Sequence, residues 1–229
     1  MSAAARPRRR AAVARDQHES AFESILAGLV ERIPGARAAA LVDRQGETVD
    51  YSGGLDPFAM RLAAAHWRIV LDEVNGQPSF RPVRWLALRA GRVSYLVHEL
   101  PEEYALIVVL ARAAGFSGWR RAVPACAHAL ANEAGWSWRA APWFPVQVTA
   151  DERRRPCSLR PAGPDTGPRP VEILGTIAGG LARRERGWRV RFDTGVEATL
   201  VREPGGVWYS DEPLDSPHPE PPAPRKKTR

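Results

Sequence analysis

Lysine is almost missing from this chain of 229 residues, because it occurs only at positions 226 and 227. A phosphate-binding P-loop and a Schiff-base enzyme both need a lysine within the folded protein, so the sequence excludes both kinds of site. No apolar run approaches the roughly 20 residues of a membrane-spanning helix. The arginines near the start are not followed by the apolar segment of a secretory signal. We therefore expect a cytoplasmic protein without a membrane span.

Cysteine and catalytic motifs are also scarce. The two cysteines, Cys126 and Cys157, have neither metal-ligand nor C-x-x-C spacing, so we expect reduced thiols, no metal and no cofactor. The stretch 115–119 begins like a nucleophile elbow but has Trp119 where the second glycine should stand. His98 lacks the second histidine of a zinc helix. The sequence thus predicts a protein without catalytic residues of its own.

The positive charge is concentrated at the two ends of the chain. The formal net charge is +7, but residues 1–15 hold five arginines and residues 225–229 hold four more cations. Without these nine, 24 basic residues stand against 26 acidic ones. We expect disordered basic tails over 1–16 and 211–229. They would act as solubilising tails or as electrostatic tethers to nucleic acid or anionic lipid.

The first part of the chain alternates helix and strand patterns around one apolar run. Residues 104–110 are apolar throughout, which predicts a strand buried on both faces. Pro124 predicts a kink in the last helix or a helix that starts one turn late. The predicted order is helix 17–33, strands 36–42 and 47–51, helix 56–74, strands 83–89, 92–99 and 104–110, and helix 118–133.

The helix over 56–74 carries two apolar stripes. One contains Phe58, Leu62, Ala65 and Ile69, and the other contains Met60, Ala64, Trp67 and Leu71. One stripe can face the sheet, so the other indicates self-association. Alternatively, both stripes form one wide core face.

This order of elements resembles the roadblock/dynein light chain family, including bacterial MglB-like members that act on Ras-like small GTPases. The resemblance covers about residues 20–136. It rests on the stretch 34–46, the Tyr51 to Gly54 motif, the amphipathic helix after it and the three strands that follow.

The resemblance implies an α+β sandwich whose five-stranded antiparallel sheet lies between helices, over a domain of residues 17–138. The last strand would be central, with the first and third helices on one face and the second on the other. Family members dimerise through the second helix and the edge strand after it. The expected interface comprises Met60, Ala64, Trp67, Leu71, Arg84, Trp85 and Leu86. Trp67 and Trp85 are its expected anchors, although either could belong to the core.

The rest of the chain predicts a small all-β module. We expect a linker with one strand over 139–170 and a curled sheet or barrel over 171–210. Residues 187–209 resemble a small uncharacterised bacterial β-domain. On one strand, Arg189 and Arg191 share the face opposite Trp188. They would contact an anionic partner or form a solvated strand face.

These patterns support a leading function and an alternative. The resemblance implies a non-enzymatic bacterial homodimer that binds a Ras-like small GTPase and modulates its nucleotide cycle, including stimulation of hydrolysis. The alternative is a scaffold whose basic β module binds nucleic acid or an acidic protein. A small-ligand sensor is a third reading, which no polar cluster supports.

Overall fold

The computed structural model describes residues 20–78, 83–116, 120–137, 143–160, 167–179 and 181–213. The predicted tail over 1–16 lies outside these residues, as do residues 214–229 of the predicted tail over 211–229. The chain divides into two compact units, residues 1–139 and 140–229. In the described part, no helix has both the length and the apolar character needed to cross a bilayer.

The first unit contains the predicted helices and strands in the predicted order. Their bounds are α1 Ala21–Arg32, β1 Ala36–Val42, β2 Thr48–Gly53, α2 Pro57–Asn75, β3 Trp85–Arg89, β4 Val93–Glu99, β5 Ala105–Ala111 and α3 Ala122–Ala134. A short 3-10 turn, Pro101–Glu103, connects β4 to β5.

The five strands form one antiparallel sheet in the order β2-β1-β5-β4-β3. The central β5 is buried along its first six residues, because helices cover both of its faces. On one face α1 packs on β1 and β2 and against α3, and on the other face α2 packs on β1, β2 and β5. This is the sandwich that the resemblance implied, so the fold prediction is confirmed.

Local sequence signals set the helix ends. The Ser20 side chain accepts a hydrogen bond from the Glu23 amide at 3.1 Å and donates one to the Asp50 carboxylate, which ties the start of α1 to β2. Asp56 caps α2 in the same way, at 3.0 Å from the Ala59 amide. Helix α3 starts at Ala122, one turn later than its pattern begins, so Pro124 lies in the first turn where no helical amide bond is lost.

The second unit is a closed six-stranded barrel in the order β10-β11-β6-β7-β8-β9. Its strands are β6 Phe144–Ala150, β7 Pro156–Arg160, β8 Arg169–Ile177, β9 Arg186–Phe192, β10 Glu197–Arg202 and β11 Trp208–Ser210. The prediction of a linker with one strand over 139–170 is therefore wrong in part, because this segment contributes two strands, β6 and β7, to the barrel. Strand β7 was not predicted, because the segment around it is rich in proline and arginine. Its own proline, Pro156, stands at the first strand position, where proline is tolerated.

Alternation along the barrel strands supplies the second core. Trp188, Val190 and Phe192 are buried, as the pattern predicted, and Trp188 stacks against Trp208 with ring centroids 5.1 Å apart. Leu159 of β7 and Leu200 of β10 complete this cluster. The barrel interior is therefore filled by side chains.

The two thiols should differ sharply in reactivity. Burial raises the pKa of Cys126 to about 12, whereas Cys157 is exposed on β7. Because the thiolate is the nucleophile, we expect one thiol to react with Ellman's reagent in the native chain near about pH 8, and both to react in denaturant. Cys157→Ser should abolish the native reaction. Rapid labelling of both native thiols would contradict the buried position of Cys126.

Candidate partner-binding surfaces

The outward crest of α2 is the most exposed apolar surface of the first unit. Phe58, Leu62 and Ile69 are 72%, 60% and 56% exposed. Their spacing places them on one side of the helix, opposite the side that packs on the sheet. A row of large apolar side chains in water is costly on a monomer and marks an interaction site. We call these three residues the crest.

The sequence assigned the two stripes of α2 the wrong way round. Met60, Ala64 and Leu71 were expected at an interface, but all three are 0% exposed and belong to the core of the unit. One stripe does face the sheet and the other water, so the single wide core face is also excluded. The true core stripe includes Arg68, which is buried because its guanidinium makes a double hydrogen bond to the half-exposed Asp72 carboxylate one turn later.

The remaining expected interface residues lie near the edge of the sheet. Trp67 is half-buried and its ring lies 4.8 Å from the ring of Tyr95 on β4. Leu86 of β3 is half-buried on the same face of the sheet, where it packs against the core. Arg84 precedes β3 and is exposed. These positions are accessible to a partner, so their interface role stays a prediction.

Trp67 and Trp85 do not meet. Side chains alternate along β3, and Leu86 packs on the α2 side of the sheet, so Trp85 projects to the opposite side. Trp85 is 45% exposed and lies opposite His98 in register. The two expected anchors therefore belong to different faces, and one helix-mediated contact cannot bury both.

Strand β3 forms one edge of the sheet, since within the described residues it pairs only with β4. An edge strand presents unpaired amides and carbonyls to another chain. Beside it, one flank of α2 turns toward β4 and β3. This flank consists of Ala59, Ala63, Trp67 and Val70, which recur at helical spacing around the Trp67–Tyr95 contact.

The flank and the crest are distinct surfaces. On the side of the crest away from Trp67, Ala65 lies beside the β1–β2 turn, where a Cβ built on Gly46 would come within 3.5 Å of the Ala65 Cα. The helix is therefore oriented with one side toward β2 and the flank toward β3. The crest lies between them and faces away from the sheet.

The arginine pair of the barrel is engaged with neighbouring acids. Arg191 donates to Glu197 at 2.9 Å and to Glu172 at 3.0 Å, and Arg189 lies 3.5 Å from Glu197. The hydrogen bond from Arg191 holds the pKa of the Glu197 carboxyl below its usual value. These pairs form a solvated strand face, which was one of the two readings of the pattern. They do not supply free charge for an anionic partner.

The described residues contain no group of three or more metal-ligating side chains that could hold an ion. His66, His98 and His128 are therefore not gathered into a metal site within that part of the chain. The surfaces above can bind a partner by burying apolar area and pairing strand edges.

Searches against protein-family models and curated proteins found no significant match. Among solved structures, the Roadblock/LC7 domain from Streptomyces avermitilis is 19% identical, with 48% of this chain and 88% of that domain covered and a TM-score of 0.36. MglB from Myxococcus xanthus is 12% identical over 52% of this chain and 93% of its own, with a TM-score of 0.43. The gliding protein MglB from Thermus thermophilus is 19% identical over 52% and 94%, also at 0.43.

Proposed function

We propose that this chain, whose first unit has the roadblock-type sandwich fold, is a non-enzymatic homodimer that binds a Ras-like small GTPase and modulates its nucleotide cycle. The observation that carries the proposal is the exposed crest of α2, formed by Phe58, Leu62 and Ile69. Large apolar side chains so exposed along a rigid helix fit a protein partner.

The dimer forms at the β3 edge. Two β3 strands that pair across a twofold axis extend the sheet from five to ten strands and satisfy the open edge. The flank of α2 then faces the partner protomer together with the half-buried Leu86 and Tyr95. Ala59 and Ala63 are small and permit close approach at this flank.

The crest remains open in such a dimer and binds the GTPase. The two crests lie on the same side of the extended sheet, because both α2 helices cover the same face. A GTPase switch segment that is ordered only with GTP can present apolar residues to this surface. Binding would then stabilise the ordered switch and alter hydrolysis without catalytic residues from this chain.

The test is co-elution of the full chain with Ras-like GTPases encoded in the same genome, each loaded with GDP or a GTP analogue. We expect a complex with the GTP form and weaker or absent binding of the GDP form. A GTP hydrolysis assay on the complex then shows whether the cycle is accelerated or slowed. Failure to bind any of these GTPases in either state would contradict the proposal.

A further inference from the structure

The turns of the barrel gather at one end. Because the six strands are antiparallel around a closed barrel, the β6–β7, β8–β9 and β10–β11 connections lie at the same end. We call residues 151–155, 181–186 and 202–207 the hairpin end. It lies away from Arg189 and Arg191, which project from the side of the barrel.

Unpaired arginines dominate the hairpin end. The hairpin end holds seven arginines and four acids. Of the acids, Asp151 accepts from Arg155 at 2.9 Å and the Glu185 carboxylate accepts from the Ala182 amide at 2.8 Å. Glu203 is buried at 5% exposure. Among the described residues, the arginines of this end that form no ion pair are Arg153, Arg154, Arg183, Arg184, Arg186 and Arg202.

Two of these arginines oppose each other at the barrel mouth. Arg186 on β9 and Arg202 on β10 are partners in register. They continue the inward-facing positions of their strands, and an Arg202 Nη lies 3.7 Å from where a Cβ on Gly206 would stand. Like charges directly opposite each other destabilise a strand pair. Further along the same strands Arg191 faces Glu197, whereas at this end of the barrel an arginine faces an arginine.

The backbone conformation of two arginines is a second indication that this end binds an anion. Arg154 and Arg184 have φ angles of 60° and 77°, in the left-handed region that glycine and asparagine prefer. Each stands in a turn of the hairpin end. Two of the three turns therefore carry an arginine at a position where the backbone favours a different residue.

The residue types at the hairpin end favour nucleic acid over an acidic protein as the anionic partner. The exposed large apolar residues described in the second unit are Ile173 and Leu174, in the middle of β8 and away from the hairpin end. Protein interfaces need an apolar or aromatic centre, which this end does not offer among its described residues. It also presents no exposed aromatic ring there for stacking with a base. Arginine suits phosphate oxygens, because its planar guanidinium can donate two parallel hydrogen bonds to them.

We propose that the hairpin end binds the phosphate backbone of double-stranded nucleic acid without reading its bases. Arg186 and Arg202 together bind one phosphate group at the hairpin end of the barrel. The arginines of the turns contact the neighbouring phosphate groups of the same nucleic acid. This inference is independent of the proposed GTPase partner, because it concerns the other unit of the chain.

The experiment measures binding of the full chain to a fluorescent DNA duplex of about 24 base pairs, with an RNA duplex as a second probe, between about 50 and 200 mM salt. The test variant is Arg186→Gln/Arg202→Gln and the matched control is Arg189→Gln/Arg191→Gln. The wild type, the test variant and the control variant have the same basic tails. A difference in their affinities for the duplex is therefore caused by the barrel. We expect the test variant to bind roughly tenfold more weakly or worse at low salt, with a salt slope lower by about 1, because the two arginines share one phosphate. The control should stay within about twofold of wild type.

A stability measurement separates binding from folding. Removing two opposed charges should leave the barrel at least as stable as wild type, so the test variant should lose binding without losing its melting transition. Arg183→Gln/Arg184→Gln gives an independent variant in a turn. Equal binding by test and control variants would assign the affinity to the tails and overturn the proposal. Competition by polyglutamate as effective as that by unlabelled duplex would overturn it as well, in favour of an acidic protein partner.

Discussion

Leu62→Arg should leave the dimer intact and abolish GTPase binding, whereas Ala63→Arg at the next position should give a folded monomer. Leu62 lies on the crest at 60% exposure, and Ala63 lies on the half-buried flank toward β3. In the free protomer either arginine can extend into water. Within an interface an unpaired cation costs roughly 3 kcal/mol or more, which is about a hundredfold in affinity.

Light scattering after size-exclusion chromatography measures the dimer, and binding of the GTP-loaded GTPase is measured on the same samples. Val49→Arg is the matched control, because Val49 is an exposed apolar residue on β2, at the sheet edge opposite β3. It should change neither property. If Leu62→Arg dissociated the dimer, or Ala63→Arg left it unchanged, the assignment of the two surfaces of α2 would be wrong.

Gly53→Ala should destabilise the first unit by about 3 kcal/mol or more, which lowers its melting temperature by on the order of 10 °C. Gly53 ends β2 with φ at +121°, which an alanine adopts only under strain. A Cβ there would also lie 2.4 Å from the Arg37 carbonyl oxygen and 2.5 Å from the Ala38 Cα. Both atoms belong to the backbone of β1 and cannot move aside without disturbing the sheet.

The adjacent glycine provides the control. Gly54 has open space around the position of a Cβ, and its φ is not in the left-handed region. Gly54→Ala should therefore change the free energy of unfolding by no more than about 0.5 kcal/mol. Urea unfolding followed by tryptophan fluorescence measures both variants. Equal stability of the two would show that the chain at Gly53 accepts a side chain and that the close approach to β1 is not required.

The positions of the strands could be predicted from the sequence, because buried strands are apolar runs and turns have characteristic residues. The apolar run that became β5 and the tight turn between β1 and β2 are both visible without tertiary information. The orientation of α2 could not be predicted in the same way, since both stripes are apolar. The presence of Arg68 made the true core stripe look less like a core, and its partner Asp72 mattered only once the helix was placed.

In the barrel, too, the sequence predicted which face a side chain occupies but not which residues it contacts. That Arg189 and Arg191 share an outer face followed from alternation, but their neutralisation by Glu172 and Glu197 depends on the register of three strands. The opposition of Arg186 and Arg202 depends on that register too. Arg191 lies 6 positions from Glu197 and 19 from Glu172. Arg186 lies 16 positions from Arg202 on the adjacent strand, so the pattern along one strand does not reveal this pairing.

The most direct test of the account is the molar mass of the full wild-type chain in solution, determined by light scattering over a range of concentrations. The chain has a mass of 25.2 kDa. Pairing through the β3 edge and the flank of α2 predicts a species of about twice that mass that Ala63→Arg converts to a single chain. A wild-type protein that stays at the mass of one chain at every concentration would contradict the proposed homodimer.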